Sequence, residues 1–149
     1  MSRNPLHVVI HIDGGSRGNP GPAGAGVAIR DKADNSILYK GGVFLGNATN
    51  NVAEYSGLLA GLNAARDLNA DRVELFSDSQ LLVRQMTGEY RVKNAGLKPL
   101  HRRATDLADG FDICVCHARH EHQSERHSER QQTLFPHDRP PSKFMRGPR

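Results

Sequence analysis

Three carboxylates, Asp13, Glu54 and Asp78, occupy positions from which they could do chemistry together. Asp13 follows the alternation Val8, Ile10, Ile12 and precedes a turn rich in Gly14, Gly15, Gly18, Asn19, Pro20 and Gly21, so it reads as an acid ending a strand beside a flexible loop. Asp78 repeats that arrangement after the run RVELFS at 72–77. Glu54 falls in the first turn of a helical pattern between them, at the edge of its apolar face. Carboxylates gathered at one sheet edge repel one another unless a cation neutralises them, and oxygen ligands favour a hard ion, Mg²⁺ or Mn²⁺, over zinc. Two such ions about 4 Å apart hydrolyse phosphodiesters, one activating the water and the other stabilising the leaving oxygen. From these stretches alone, a solvated Asp13 and a Glu54 that only complements the helix dipole stay open as readings, because periodicity does not establish convergence.

The elements that must position these acids can be read in order. Residues 7–12 form a short β-branched run suited to a central strand. GAGVAIR at 24–30 and ILYKGGVFL at 37–45 flank a turn at Asp34-Asn35, which predicts an antiparallel meander of three strands. Val52, Tyr55, Leu58, Leu59, Leu62, Ala65 and Leu68 recur at helical spacing, with Thr49, Asn50 or Asn51 available as cap. A strand following that helix should run parallel to the first one through a right-handed crossover, which sets Asp13 and Asp78 on neighbouring strand ends. A further helix is expected over SQLLVRQM and another over roughly 96–109, ending near Gly110. DICVCHA at 112–118 is the last clear strand.

At 149 residues the length fits one domain with a real core, and a net charge of +4 permits an anionic partner without requiring one. No apolar run is long enough to span a bilayer, and no cationic apolar leader opens the chain, so a monomeric, cytoplasmic protein without membrane contact is expected. Cys114 and Cys116 share one face of a strand, where a disulfide between them is geometrically poor, so both read as buried thiols. Beyond that strand RHEHQSERHSERQQTLF lacks an apolar stripe, and the basic, proline-containing tail 136–149 reads as irregular, leaving 1–135 as the domain.

DGGSRGNPGPAGAG at 13–26, TNNVAEYSGL at 49–58 and FSDSQLLVRQMTGEYRVKN at 76–94 resemble the signature segments of type 1 ribonuclease H, particularly its compact prokaryotic branch. The resemblance covers residues 7 to about 117. It implies an α/β fold with a five-stranded mixed sheet and helices on both faces. It also implies metal-dependent cleavage of the RNA strand in an RNA/DNA hybrid, leaving 5′-phosphate and 3′-hydroxyl ends. On this resemblance Asp13, Glu54 and Asp78 match the metal-ligating acids, with two ions per site. Gly15, Ser16 and Asn19 match the turn facing the substrate backbone, Asn50 and Asn51 match asparagines near the RNA strand, and Gln80 matches a contact in the hybrid's minor groove. The 2′-hydroxyl distinguishes RNA from DNA, and amides can read it.

The chain departs from the family pattern at its end, where His127 stands at the position of the usual fourth aspartate. Glu121, Glu125, Glu129 or neutral His127 could substitute, and a nitrogen ligand shifts preference toward Mn²⁺. A non-catalytic nucleic-acid binder with an impaired metal site is the alternative reading. Only Arg84, Arg91 and Lys93 stand where longer bacterial forms carry a lysine-rich protrusion, so hybrid affinity should be modest and salt dependent.

Overall fold

A computed structural model describes residues 4–118, and His127 and the tail 136–149, with the expectations attached to them, lie outside the described residues. The chain runs β1 (His7–Ser16), β2 (Gly21–Asp31), β3 (Ile37–Ala48), α1 (Asn50–Asp67), β4 (Arg72–Ser77), α2 (Gln80–Met86), α3 (Lys98–Ala108) and β5 (Asp112–His117). The five strands form one sheet in the order β3-β2-β1-β4-β5. β1 pairs antiparallel with β2 and parallel with β4, so the meander and the crossover both take the expected sense. β1 is therefore the central strand.

The period-two alternation dictates how the sheet is covered. Val8, Ile10 and Ile12 of β1, Val27 and Ile29 of β2, Val73 and Leu75 of β4, and Ile113 and Val115 of β5 form one core with Tyr55, Leu58, Leu62, Leu82, Met86, Ala104 and Ala108. Among the described residues all three helices thus lie on this face, giving the five-stranded mixed sheet flanked by helices. The expectation of a helix on the opposite face concerns residues outside those described. On that face Phe76, Cys114 and Cys116 form a smaller cluster, and both cysteines are buried and free, as their alternation predicts.

Two boundaries differ from the sequence reading. Asp13 does not end β1, because the strand continues through Ser16, with Asp13 opposite Gly26, Gly15 opposite Gly24 and Ser16 opposite Ala23. The glycines read as a turn are partly ladder residues, since β2 supplies partners for them. α1 begins at Asn50, capped by the Thr49 hydroxyl, which accepts from Val52 N at 3.2 Å. Its first turn contains no acidic residue, so Glu54 belongs to the second turn and the helix-dipole account of it falls. No helix among the described residues is long and apolar enough to cross a membrane.

Candidate active site at the end of the sheet

The parallel register of β1 and β4 ends with Ile12 opposite Ser77, and Asp13 and Asp78 are the next residue on each chain segment. Both acids are exposed. Glu54 approaches from α1 and is buried at 5% exposure. Its Oε1 accepts from Gly14 N at 2.5 Å and its Oε2 accepts from the Ser77 hydroxyl, so one carboxylate is tied to β1 and to the end of β4. Ser77 Oγ in turn accepts from Ser79 N at 3.0 Å, which joins the start of α2 to the same set. Gly14 makes the approach possible: a Cβ there would meet the Ala53 carbonyl carbon at 2.7 Å and Glu54 N at 2.8 Å.

Burial pushes the Glu54 carboxyl above its ordinary pKa, and the negative charges of Asp13 and Asp78 add to the rise, while the hydrogen bonds from Ser77 and Gly14 oppose it. The fold therefore sets the three acids against one another with no cation at hand: none of them forms an ion pair with a described residue. Oxygen donors under mutual repulsion suit a hard divalent ion. They do not form a closed ligand set, since among the described residues no three His, Cys, Asp or Glu side chains gather closely enough to hold one ion.

The residues expected to face substrate form a polar rim beside these acids. Asn50 Oδ1 accepts from Ser16 N at 2.7 Å and from Ser16 Oγ at 3.0 Å, and Asn50 N donates to Asn19 Oδ1 at 3.0 Å. The loop after β1 and the start of α1 are thereby fixed to each other. Asn51 is exposed at the next position. Gln80 opens α2, and with its amide oxygen turned to Arg84 it accepts from Nη2 at 2.6 Å.

Two histidines near the site were not assigned roles from sequence. His117 Nε2 lies 3.0 Å from the carbonyl oxygen of Asp78; a carbonyl only accepts, so this nitrogen donates and pins the Asp78 backbone. His11 stacks on Phe76 with ring centroids 5.1 Å apart. Its pKa is lowered by burial and by Arg30, with Asp78 pulling the other way. The signal for His11 was its position two residues before Asp13 on the same strand face.

Residues 11–125 match a family model described as reverse transcriptase-like. The chain is 46% identical over 106 residues to a bifunctional protein of Mycobacterium tuberculosis, covering 71% of this chain and 29% of that one. It is 45% identical over 105 residues to ribonuclease HI of Halobacterium salinarum, covering 70% of this chain and 52% of that one. This chain thus spans about half or less of the length of these relatives. The solved N-terminal RNase H domain of the mycobacterial protein superposes with a TM-score of 0.73 at 36% identity, covering 87% of this chain and 99% of that domain. LC11-RNase H1, solved in complex with an RNA/DNA hybrid, gives a TM-score of 0.71 at 34% identity, covering 82% of this chain and 91% of that one.

Proposed function

The chain belongs to the type 1 ribonuclease H family, and on that premise we propose that it is a metal-dependent endonuclease cutting the RNA strand of RNA/DNA hybrids to leave 5′-phosphate and 3′-hydroxyl ends. The observation that carries this reading is the buried Glu54, tied to both β1 and β4 and facing Asp13 and Asp78, which form no ion pair with any described residue. A protein that only gripped phosphates would gain nothing from three clustered negative charges.

In this reading Asp13, Glu54 and Asp78 would hold Mg²⁺ or Mn²⁺, two ions once substrate adds its own oxygens, and that metal would supply an activated water and stabilisation of the leaving oxygen. The chain's own contribution is positioning. Gly14 N and Ser77 Oγ fix the Glu54 carboxylate before substrate arrives, and His117 holds the backbone of Asp78. Ser16, Asn19 and Asn50 already form a fixed polar rim, and with Gly15 and Asn51 they face the substrate backbone and the RNA strand, where the 2′-hydroxyl is read, while Gln80 contacts the minor groove. In sequence His127 stands at the position of the family's fourth aspartate, with Glu121, Glu125 and Glu129 as the other candidates to replace that ligand; Mn²⁺ is expected to support faster cleavage than Mg²⁺, and His127→Asp to raise the Mg²⁺ rate where this position reaches the site.

The test is cleavage of an end-labelled RNA/DNA hybrid in Mg²⁺ or Mn²⁺, beside free RNA and duplex DNA. Cutting confined to the RNA of the hybrid is expected. Tight hybrid binding without cutting in either metal would leave a non-catalytic nucleic-acid binder.

A further inference from the structure

The sheet face opposite the helices carries a second set of chemically matched groups beside Asp13. Three rows of directly paired residues cross from β1 to β3: Gly15, Gly24, Phe44; Asp13, Gly26, Gly42; and His11, Ala28, Lys40. Residues directly opposite in an antiparallel pair share a face, so Phe44 and Lys40 project on the same side as Asp13, two strand spacings or about 10 Å across the sheet. Phe44 is 81% exposed, the most exposed large apolar side chain among the described residues, and the exposed Lys40 lies on the same face of β3 about 13 Å along the strand, with Gly42 between them. The middle strand puts nothing larger than alanine between them and the acid.

Neither packing nor backbone conformation explains all of that open floor. Close packing accounts for Gly24 and Gly42, where a Cβ would meet Val43 O at 2.9 Å and Ala25 O at 3.2 Å, but among the described residues a Cβ on Gly26 would meet nothing nearer than the Asp13 carbonyl oxygen at 4.0 Å, and one on Gly15 only Asn50 Oδ1 at 3.8 Å. Neither residue has a positive φ. At Gly26 and Gly15 the described residues thus leave space that their packing does not require, bounded by an acid on one side and by an aromatic and a cation on the other. An exposed aromatic and a cation spaced along one open strand face can hold a polynucleotide strand, with a base stacked on the ring and a phosphate farther along the strand on the amine.

We propose that this trough carries one strand of the hybrid away from the carboxylates, with a base stacked on Phe44 and a phosphate about two nucleotides along on Lys40. The proposal rests on the nuclease reading above and adds to it a contact outside the metal and 2′-hydroxyl sites.

Binding is read by fluorescence anisotropy of a labelled RNA/DNA hybrid in the Asp13→Asn protein, which separates affinity from turnover. Phe44→Ala should raise Kd about tenfold, and Phe44→Trp should keep the parental affinity. Lys40→Gln should raise Kd about threefold and lower the salt dependence by about one phosphate contact. Abasic residues walked along each strand should reveal one position at which Phe44→Ala no longer weakens binding, as expected for a stacked base. Unchanged affinity in both variants, with the parent binding hybrid, overturns the trough and leaves the nuclease reading standing. A marked loss of thermal stability in Phe44→Ala, or a concentration-dependent dimer that this substitution dissolves, also overturns it, because the ring would then cover protein. A wild-type chain that neither binds nor cuts hybrid overturns the nuclease reading, and the trough falls with it.

Discussion

Glu54 and Glu74 are both buried glutamates, on α1 and β4 of the same sheet and its covering helix, yet their surroundings shift them in opposite directions. Glu74 is fully buried with His7 Nε2 at 2.8 Å and Lys32 Nζ at 3.1 Å, and although burial opposes it, these two donors hold its carboxyl below the ordinary glutamate value. Among the described residues Glu54 receives only a backbone amide and a hydroxyl, and burial, with the charges of two further acids adding to it, raises its carboxyl. The difference separates a charge that the fold completes from a charge that the fold leaves unfinished. The first belongs to stability, the second to a ligand.

The contrast is tested hardest by catalysis. Asp13→Asn and Glu54→Gln should each lower hybrid cleavage by on the order of 10²- to 10³-fold or more, since each removes charge aimed at the reacting phosphate. Glu74→Gln should leave the hybrid cleavage rate within about twofold at temperatures where the protein stays folded. Initial rates on labelled hybrid decide this, and equal losses at Glu54 and Glu74 would erase the distinction.

A smaller effect is expected at the completed pair. Lys32→Met should destabilise the protein by about 2 kcal/mol in denaturant unfolding at neutral pH, because it leaves Glu74 with His7 alone. Combining it with Glu74→Gln should recover most of that loss. The lowered pKa sets the sign of the pH dependence: the contribution of Glu74 is present above the ordinary glutamate value and is lost as pH falls through its depressed folded value. Wild type should therefore lose stability in acid more steeply than the double variant.

The smallest effect carries the opposite sign. Glu54→Gln should stabilise the metal-free protein at neutral pH by on the order of 1 kcal/mol, by relieving burial and like-charge repulsion. A raised folded pKa gives stability that is full below the ordinary value and lost as pH rises through the folded value. The gain over wild type should accordingly vanish in acid and grow toward neutral pH. Thermal melts across that range, with divalent metal removed by chelation, would show it.

Much of this organisation was legible along the chain. The alternation of Val8, Ile10 and Ile12 named a core strand, and RVELFS gave the limits of β4. Glu54 could be placed at the margin of a buried helix face. Less legible was the extent of β1, because glycines at 14 and 15 look like a turn until β2 supplies their partners. Glu74 also escaped notice, since Lys32 lies 42 residues away in sequence and nothing local joins them.

The sequence by itself determined which residues alternate, which recur at helical spacing and which segments match the family, because these are properties of neighbours along the chain. Only the tertiary structure decided that Gly14 lets α1 come close enough for Glu54 to bond both β1 and β4. It also placed His7 and Lys32 around Glu74 and, among the described residues, only acids and neutral donors around Glu54. The physical reason is that a carboxyl's protonation and role depend on charges and donors within a few ångströms, and those neighbours are chosen by strand register and crossover rather than by position in the chain.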